Sequence, residues 1–231
     1  MLSIVIQTLN EEKYLPLLLE SIKAQDFSDY EIIVSDAGSV DKTCQVAKEY
    51  GAKVITGGLP PKGKNNGAGI VQGDLILFID ADTILADNSL SLLLNEFQQR
   101  NLDIATFLLS SEKGLHNLSY QIFYNLISCL TEKFLPQAMN VILAKKGLHQ
   151  KIGEFDEDIK LGEELDYVRK LAKIGKFGVL KSAKIFASPR RFQQDGWFIT
   201  WLKYLLCQIH MIFFGPVKSD IFKYRFNHYN K

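Results

Sequence analysis

Along residues 1–83, short apolar runs alternate with stretches in which apolar residues return every three or four positions. Leu2 to Ile6 predicts a buried strand, and Tyr14, Leu15, Leu18, Leu19 and Ile22 predict the helix after it. Tyr30 to Ser35 and Lys53 to Thr56 read as two more strands, with a helix through about Tyr50 between them and another leading to the run Gly73 to Thr83. That last run, Gly-Asp-Leu-Ile-Leu-Phe-Ile-Asp-Ala-Asp-Thr, ends a fourth strand in Asp80 and Asp82. Alternating strands and helices with short connections predict a doubly wound, Rossmann-like and mostly parallel α/β sheet flanked by helices. The polar stretches 7–13, 36–43, 57–67 and 80–83 each follow a strand. Ligands of such sheets bind beyond the carboxyl ends of the strands, so all four stretches should converge on one edge.

The second half is less regular. Leu102 to Leu109, Val141 to Ala144 and Lys184 to Ala187 read as strands, and His116 to Lys133 as a helix in which His116 is structural. Leu165, Val168, Leu171 and Ile174 follow the acidic block Gly162-Glu163-Glu164-Leu165-Asp166 at helical spacing, and acidic residues suit a helix start. Trp197 to Phe214 holds both tryptophans in an apolar helix, with a narrow polar stripe of Thr200, Lys203, Cys207 and His210.

Composition adds an asymmetry. The net charge is +1, but residues 1–169 hold 15 Lys and Arg against 24 Asp and Glu, while 170–231 hold 12 against 2. A basic, aromatic-rich apolar tail favours an anionic membrane over nucleic acid as partner. Residues 195–231 are therefore expected to form an amphipathic, membrane-associating helical tail on a domain spanning 1–194, with Lys218, Lys223, Arg225 and Lys231 near headgroups. A helix packed on the core and an oligomer contact are the competing readings. Cys44, Cys129 and Cys207 lack metal-ligand spacing and fit a reduced, cytoplasmic setting. The apolar start, without a charged leader region, reads as a first strand and not as a signal peptide.

Candidate chemistry lies in the loops. Residues two apart on a strand point the same way, so Asp80 and Asp82 can face one divalent cation, or they can simply form an acidic turn capping the next helix. No Gly-x-Gly-x-x-Gly follows the first strand, and no phosphate-binding Gly-x-x-x-x-Gly-Lys-Ser/Thr occurs. Carboxylates at Asp36, Asp80 and Asp82 with a cation at Lys64 instead point to a nucleotide held by acidic groups and a bridging metal.

Thr8-Leu9-Asn10-Glu11, Asp36-Ala37-Gly38-Ser39-Val40-Asp41, Lys64-Asn65-Asn66-Gly67 and Phe78-Ile79-Asp80-Ala81-Asp82-Thr83 together resemble the loops of inverting family 2 glycosyltransferases. The resemblance implies a GT-A fold, a nucleoside-diphosphate sugar donor, a Mn²⁺ or Mg²⁺ cofactor and a saccharide or lipid-linked acceptor. It places Asp82, with Asp80, at the metal; Asp36 at the base; Asp80 at the ribose or metal; and Lys64 at the base or phosphates. Thr8, Leu9 and Glu11 would line the nucleotide pocket, Leu9 standing where Tyr is common. Gly162-Glu163-Glu164-Leu165-Asp166 is similar to the Gly-Glu-Asp-x-Asp/Glu motif, which puts the general base on Glu164 in place of the usual Asp, with Glu163 or Asp166 as alternatives. Ser188-Pro189-Arg190-Arg191 resembles a segment of some members, so Arg190 and Arg191 are expected at a phosphate. Two rival readings are a non-catalytic membrane-associated scaffold of the same fold and a sugar-nucleotide pyrophosphorylase. The second should carry a glycine-rich phosphate loop after the first strand, and Gln7 to Lys13 has no glycine. The location implied is the inner face of the cell membrane, peripherally bound.

Overall fold

A computed structural model describes residues 1–111 and 114–224. The first half follows the expected alternation: β1 (Leu2–Thr8), α1 (Leu15–Lys23), β2 (Tyr30–Asp36), α2 (Thr43–Glu49), β3 (Lys53–Thr56), α3 (Pro60–Ala68) and β4 (Leu75–Asp80). β1 lies between β2 and β4, parallel to both, and its Ile4, Val5 and Ile6 are fully buried. The register sets Thr8 beside Asp36 and Gln7 beside Asp80, so three strands end together at one edge.

Two local outcomes differ from the sequence reading. Residues 57–67 are not loop throughout; α3 starts at Pro60, because proline at the first helical positions lacks only an amide that would go unpaired there. α3 also lies flat on β1: a Cβ on Gly67 would stand 2.3 Å from Val5 Cγ1. A short strand, β5 (Thr83–Leu85), follows Asp82 directly, ahead of α4 (Ser89–Gln99).

The sheet is mixed, with four of its seven described strand pairings parallel and three antiparallel. Its order is β3-β2-β1-β4-β7-β6-β8-β5, where β6 is Ile104–Ser110, β7 is Val141–Lys145 and β8 is Phe177–Ala187. β7 runs against both β4 and β6, and β5 runs against β8. The cause is the connection after β6. That strand ends at the same edge as β4, and α5 (Gly114–Tyr120), a π-helical turn (Gln121–Leu126) and α6 (Ile127–Thr131) stay there. β7 must therefore start at that edge and run back. The chain turns through α7 (Lys146–Lys151) and returns to begin α8 (Glu163–Ala172) at the edge again. β8 likewise ends there, delivering α9 (Arg190–Asp195) and α10 (Trp197–Phe213).

The core has two buried layers. One lies around Leu18, Ile6, Phe97 and Leu180, and the other around Val5, Phe78, Tyr167 and Leu171. α10 packs on the first layer through the partly buried Trp197, Trp201 and Tyr204. Its polar stripe faces inward: Thr200 and Cys207 are buried, while Phe198, Ile199, Leu205, Phe213 and Phe214 are exposed. No helix among the described residues is long and apolar enough to cross a membrane. Arg225 and Lys231, two of the expected headgroup contacts, lie outside the described residues.

Candidate active site

The converging edge encloses a cavity of about 660 Å³. Gln7, Thr8, Leu9 and Glu11 from the first loop, Ala37 from the second, Leu59 and Lys64 from the third and Asp80 to Asp82 from the fourth all line it. The four post-strand loops do meet, and Glu163, Glu164, Arg190 and Arg191 line the same space.

The first two loops are sewn together. Asp36 accepts from Thr8 Oγ1 at 2.9 Å, Ser39 Oγ at 2.5 Å, Ser39 N at 2.8 Å and Gly38 N at 3.0 Å. Burial works against its charge, yet these donors, Ser39 foremost, hold its carboxyl below the usual range. Asn10, in the left-handed region at φ 55°, receives Val40 N on its side chain and gives its own amide to Ser39 Oγ. Glu11 N donates to Thr43 Oγ1 at 2.7 Å. Glu11 is thereby fixed where its carboxylate meets the end of β8.

Carboxylates crowd the floor. Asp80 takes the side-chain amide of Gln7 on one oxygen and Asn140 Nδ2 on the other at 3.0 Å. Burial and then Glu164, with Asp82 and Glu163 behind it, push its carboxyl well up, and Lys64 opposes them. Lys64 is 1% exposed and reaches Glu164 Oε1 at 2.7 Å and Glu163 Oε1 at 3.2 Å. Burial disfavours its charge, but Glu164, Glu163 and Asp80 outweigh that and keep it protonated. The second oxygen of Glu164 accepts Asn140 N at 3.0 Å. Lys64 is thus the internal counter-ion of the acidic floor, and Glu164 is held from both sides.

α8 presents its N-terminus here. Gly162 caps it at φ 80°, and a Cβ there would stand 2.9 Å from Met211 Sδ and 3.0 Å from Cys207 Sγ of α10. Glycine answers both constraints. Asp166, the other candidate base, pairs with Lys170 at 2.6 Å and is not among the lining residues.

Arg190 joins the two sides. Its Nη atoms meet both Glu11 oxygens at 2.8 and 2.6 Å, its Nε meets Asp82 Oδ2 at 2.8 Å, and its guanidinium lies 4.5 Å from the Tyr14 ring centre. Arg191 stacks on Tyr224 at 4.3 Å and approaches Asp195 at 3.8 Å. Sequence reasoning did not single out Gln7 or Asn140. Asn140 adopts φ 63° just before β7, a conformation Asn tolerates better than most residues, and its place beside Asp80 follows from the antiparallel pairing of β4 and β7.

Among the described residues no three His, Cys, Asp or Glu side chains gather as a complete metal site. A small hard cation commonly takes one or two carboxylates and completes its shell with water and substrate phosphate oxygens. Asp82, whose present partner is a guanidinium, and Asp80 behind it fit such a partial seat.

Fold and site together define an α/β domain with an acidic pocket of about 660 Å³ at the strand ends. The chain belongs to glycosyl transferase family 2, whose model matches residues 3–141. It is 32% identical over 98 residues to poly(ribitol-phosphate) beta-N-acetylglucosaminyltransferase TarS of Staphylococcus aureus, covering 38% of this chain and 17% of that protein. It is 34% identical over 104 residues to GalNAc(5)-diNAcBac-PP-undecaprenol beta-1,3-glucosyltransferase of Campylobacter jejuni, covering 41% of this chain and 34% of that protein. The chain thus matches only a minor part of each relative. The S. aureus TarS 1–349 structure superposes with a TM-score of 0.68 at 22% identity over 90% of this chain and 65% of that one. A Pyrobaculum calidifontis mannosyltransferase, solved with GDP-Man and Mn²⁺, gives 0.72 at 15% identity over 91% and 63%. The fold is GT-A-like.

Proposed function

We propose that the chain transfers a sugar from a nucleoside-diphosphate sugar to a hydroxyl or phosphate of an acceptor, with inversion at the anomeric carbon and with Glu164 as general base. The observation that carries this reading is the seat of Glu164: a carboxylate at a helix N-terminus, lining the cavity and held between Lys64 and Asn140 N across from Asp82. The contacts with Lys64 and Asn140 N fix the direction of its carboxylate, and a general base acts only within hydrogen-bond reach of the proton it takes. The acceptor proton moves to Glu164 as the new C–O bond forms on the anomeric carbon and the sugar–phosphate bond breaks, its electron pair leaving with the diphosphate. When bound, Mn²⁺ or Mg²⁺ supplies charge neutralisation for that leaving group. Asp82, with Asp80, would hold the cation, and Arg190 and Arg191 offer guanidinium groups to the phosphates.

Thr8, Leu9 and Glu11 line the side suited to base and ribose, and Asp36, just outside that lining, is hydrogen-bonded to Thr8 Oγ1. The name of the C. jejuni relative contains a lipid-linked acceptor, GalNAc(5)-diNAcBac-PP-undecaprenol. It supports a lipid-linked acceptor here, with residues 197–231 on an anionic membrane surface at the cytoplasmic face. Calorimetric titration of UDP-, GDP- and dTDP-sugars with and without Mn²⁺ tests the donor side. One nucleotide should bind best and need the cation, and Asp36→Ala should weaken it. Equal, metal-independent binding of all three would oppose the assignment.

A further inference from the structure

Two helical stretches at the rim of the cavity are patterned inside out. In 114–131, Ser119, Asn125 and Ser128 are buried while Leu118, Ile122, Phe123, Leu126, Ile127 and Leu130 are exposed, Leu130 by 67%. In α10, Thr200 and Cys207 face the protein beside Trp197, Trp201 and Tyr204, while Phe198, Ile199, Leu205, Ile209, Ile212 and Phe213 are exposed. A helix on a water-facing surface turns its polar side outward; both of these do the reverse.

The outward apolar faces are fixed, not awaiting collapse. Asn125 gives Nδ2 to Leu109 O at 2.8 Å and takes Leu109 N at 2.9 Å, at the irregularity where β6 pairs with β8. Tyr124 OH meets Thr106 Oγ1 at 2.9 Å. These bonds hold the π-helical turn so that Ile122, Phe123 and Leu126 point away. The two stretches touch through Phe123, whose ring centre lies 5.6 Å from that of Trp197 and 5.4 Å from that of Trp201.

The cavity opens into this surface. Its lining runs from Asp80 and Glu164 to Phe123, Ile127, Phe198 and Leu205, all four of them exposed. The indole N–H groups of Trp197 and Trp201, two further lining residues, are buried without a hydrogen-bond partner.

Charge selects the occupant. Residues 114–131 carry no charged side chain and 197–213 carry Lys203 alone, with Lys133 and Lys223 exposed just beyond. Neither stretch carries a carboxylate, the flanking Glu132 and Asp195 are paired with Arg100 and Arg191, and the exposed Lys133 and Lys223 outnumber the exposed Asp220, which suits anionic lipid. α10, at 17 residues, is about 25 Å long, which suits a helix lying in the interfacial plane. A second copy seated here would cover the cavity mouth.

We propose that 114–131 and α10 form one membrane-seating surface around the cavity mouth, and that the acceptor is an amphiphile. Its hydrocarbon chain lies along Phe123, Trp197 and Trp201 while its head reaches Glu164. The assignment of the head rests on the glycosyltransfer proposed above; the surface does not.

The two tryptophans are the only ones in the chain, so emission reports on this wall alone. The 231-residue chain mixed with phosphatidylcholine/phosphatidylglycerol vesicles carrying brominated acyl chains should lose most of its emission, and non-brominated vesicles should not quench it. Leu130→Glu and Leu206→Glu, neither in the cavity lining, should each lower vesicle partition at least about tenfold, since each loses the burial of one leucine. Both should leave nucleotide-sugar hydrolysis unchanged. Decyl phosphate should shift the emission where inorganic phosphate does not. Partition that Leu206→Glu lowers and Leu130→Glu does not would refute the paired surface. An unquenched protein that light scattering shows to be a dimer would refute the membrane occupant, and decyl phosphate acting like inorganic phosphate would refute the chain site. Quenching without any nucleotide-sugar turnover would leave the surface standing and remove the glycosyltransfer reading.

Discussion

Arg190 occupies the place at Asp82 that the proposed divalent cation would take, so its removal should strengthen metal binding in the absence of nucleotide. The bond to be given up is Arg190 Nε to Asp82 Oδ2, 2.8 Å long between side chains only 11% and 13% exposed. A hydrogen bond to a charged group contributes about 1.5–3 kcal/mol net, which corresponds to about a ten- to hundredfold change in a dissociation constant. Arg190→Gln should therefore bind Mn²⁺ about ten- to hundredfold more tightly than the unaltered protein. The free Mn²⁺ signal in electron paramagnetic resonance reads this directly, with no donor or turnover involved. Adding UDP should then improve Mn²⁺ binding more in the unaltered protein than in Arg190→Gln, because diphosphate draws the guanidinium off Asp82. Asp82→Asn serves as the control that loses the site. Unchanged or weaker Mn²⁺ binding by a folded Arg190→Gln protein would refute the reasoning.

Two further predictions concern the buried charges. Lys64→Met leaves Glu163, Glu164 and Asp80 without their shared cation; breaking a buried pair on one side costs about 3–5 kcal/mol, so the urea midpoint should fall at an unchanged slope, and a shift near zero would mean the floor relaxes or protonates freely. His149 is 1% exposed, takes Tyr167 OH at 2.9 Å and is kept neutral by burial, its pKa pushed down from 6.5 to about 4. The unfolded chain binds that proton first, so stability is lost as pH falls from about 6.5 and the loss is complete near 4. At 1.36 kcal/mol per pH unit this amounts to about 3 kcal/mol, and His149→Gln should flatten that part of the denaturation profile.

The first half of the molecule was legible because β1 and β4 are buried over most of their length and the loops follow the strands in order. Once β1 and β4 are recognised as central, Thr8, Asp36 and Asp80 must share an edge. The second half was less so, since β7 reverses direction for a reason of connectivity that local pattern does not carry. Asn140 was invisible for the same cause. Pro60 and Pro61 read as a loop because proline both interrupts and begins helices, and only packing distinguishes the two. The α10 polar stripe was visible in the sequence, but not that it points inward. Lys64 shows a different limit: its spacing placed it in the site, while burial against Glu163 and Glu164 decided its partners.

The proposed mechanism divides the labour between two carboxylates, with Asp82 on the leaving-group side and Glu164 taking the proton. Release of nucleoside diphosphate from a panel of nucleotide sugars, followed with Mn²⁺, with Mg²⁺ and with chelator, tests it most directly. The unaltered chain should require the cation, Asp82→Ala should abolish the requirement together with the activity, and Glu164→Gln should lose about 10²–10⁴-fold in turnover while still binding the donor. Turnover that ignores the cation and survives both substitutions would contradict it.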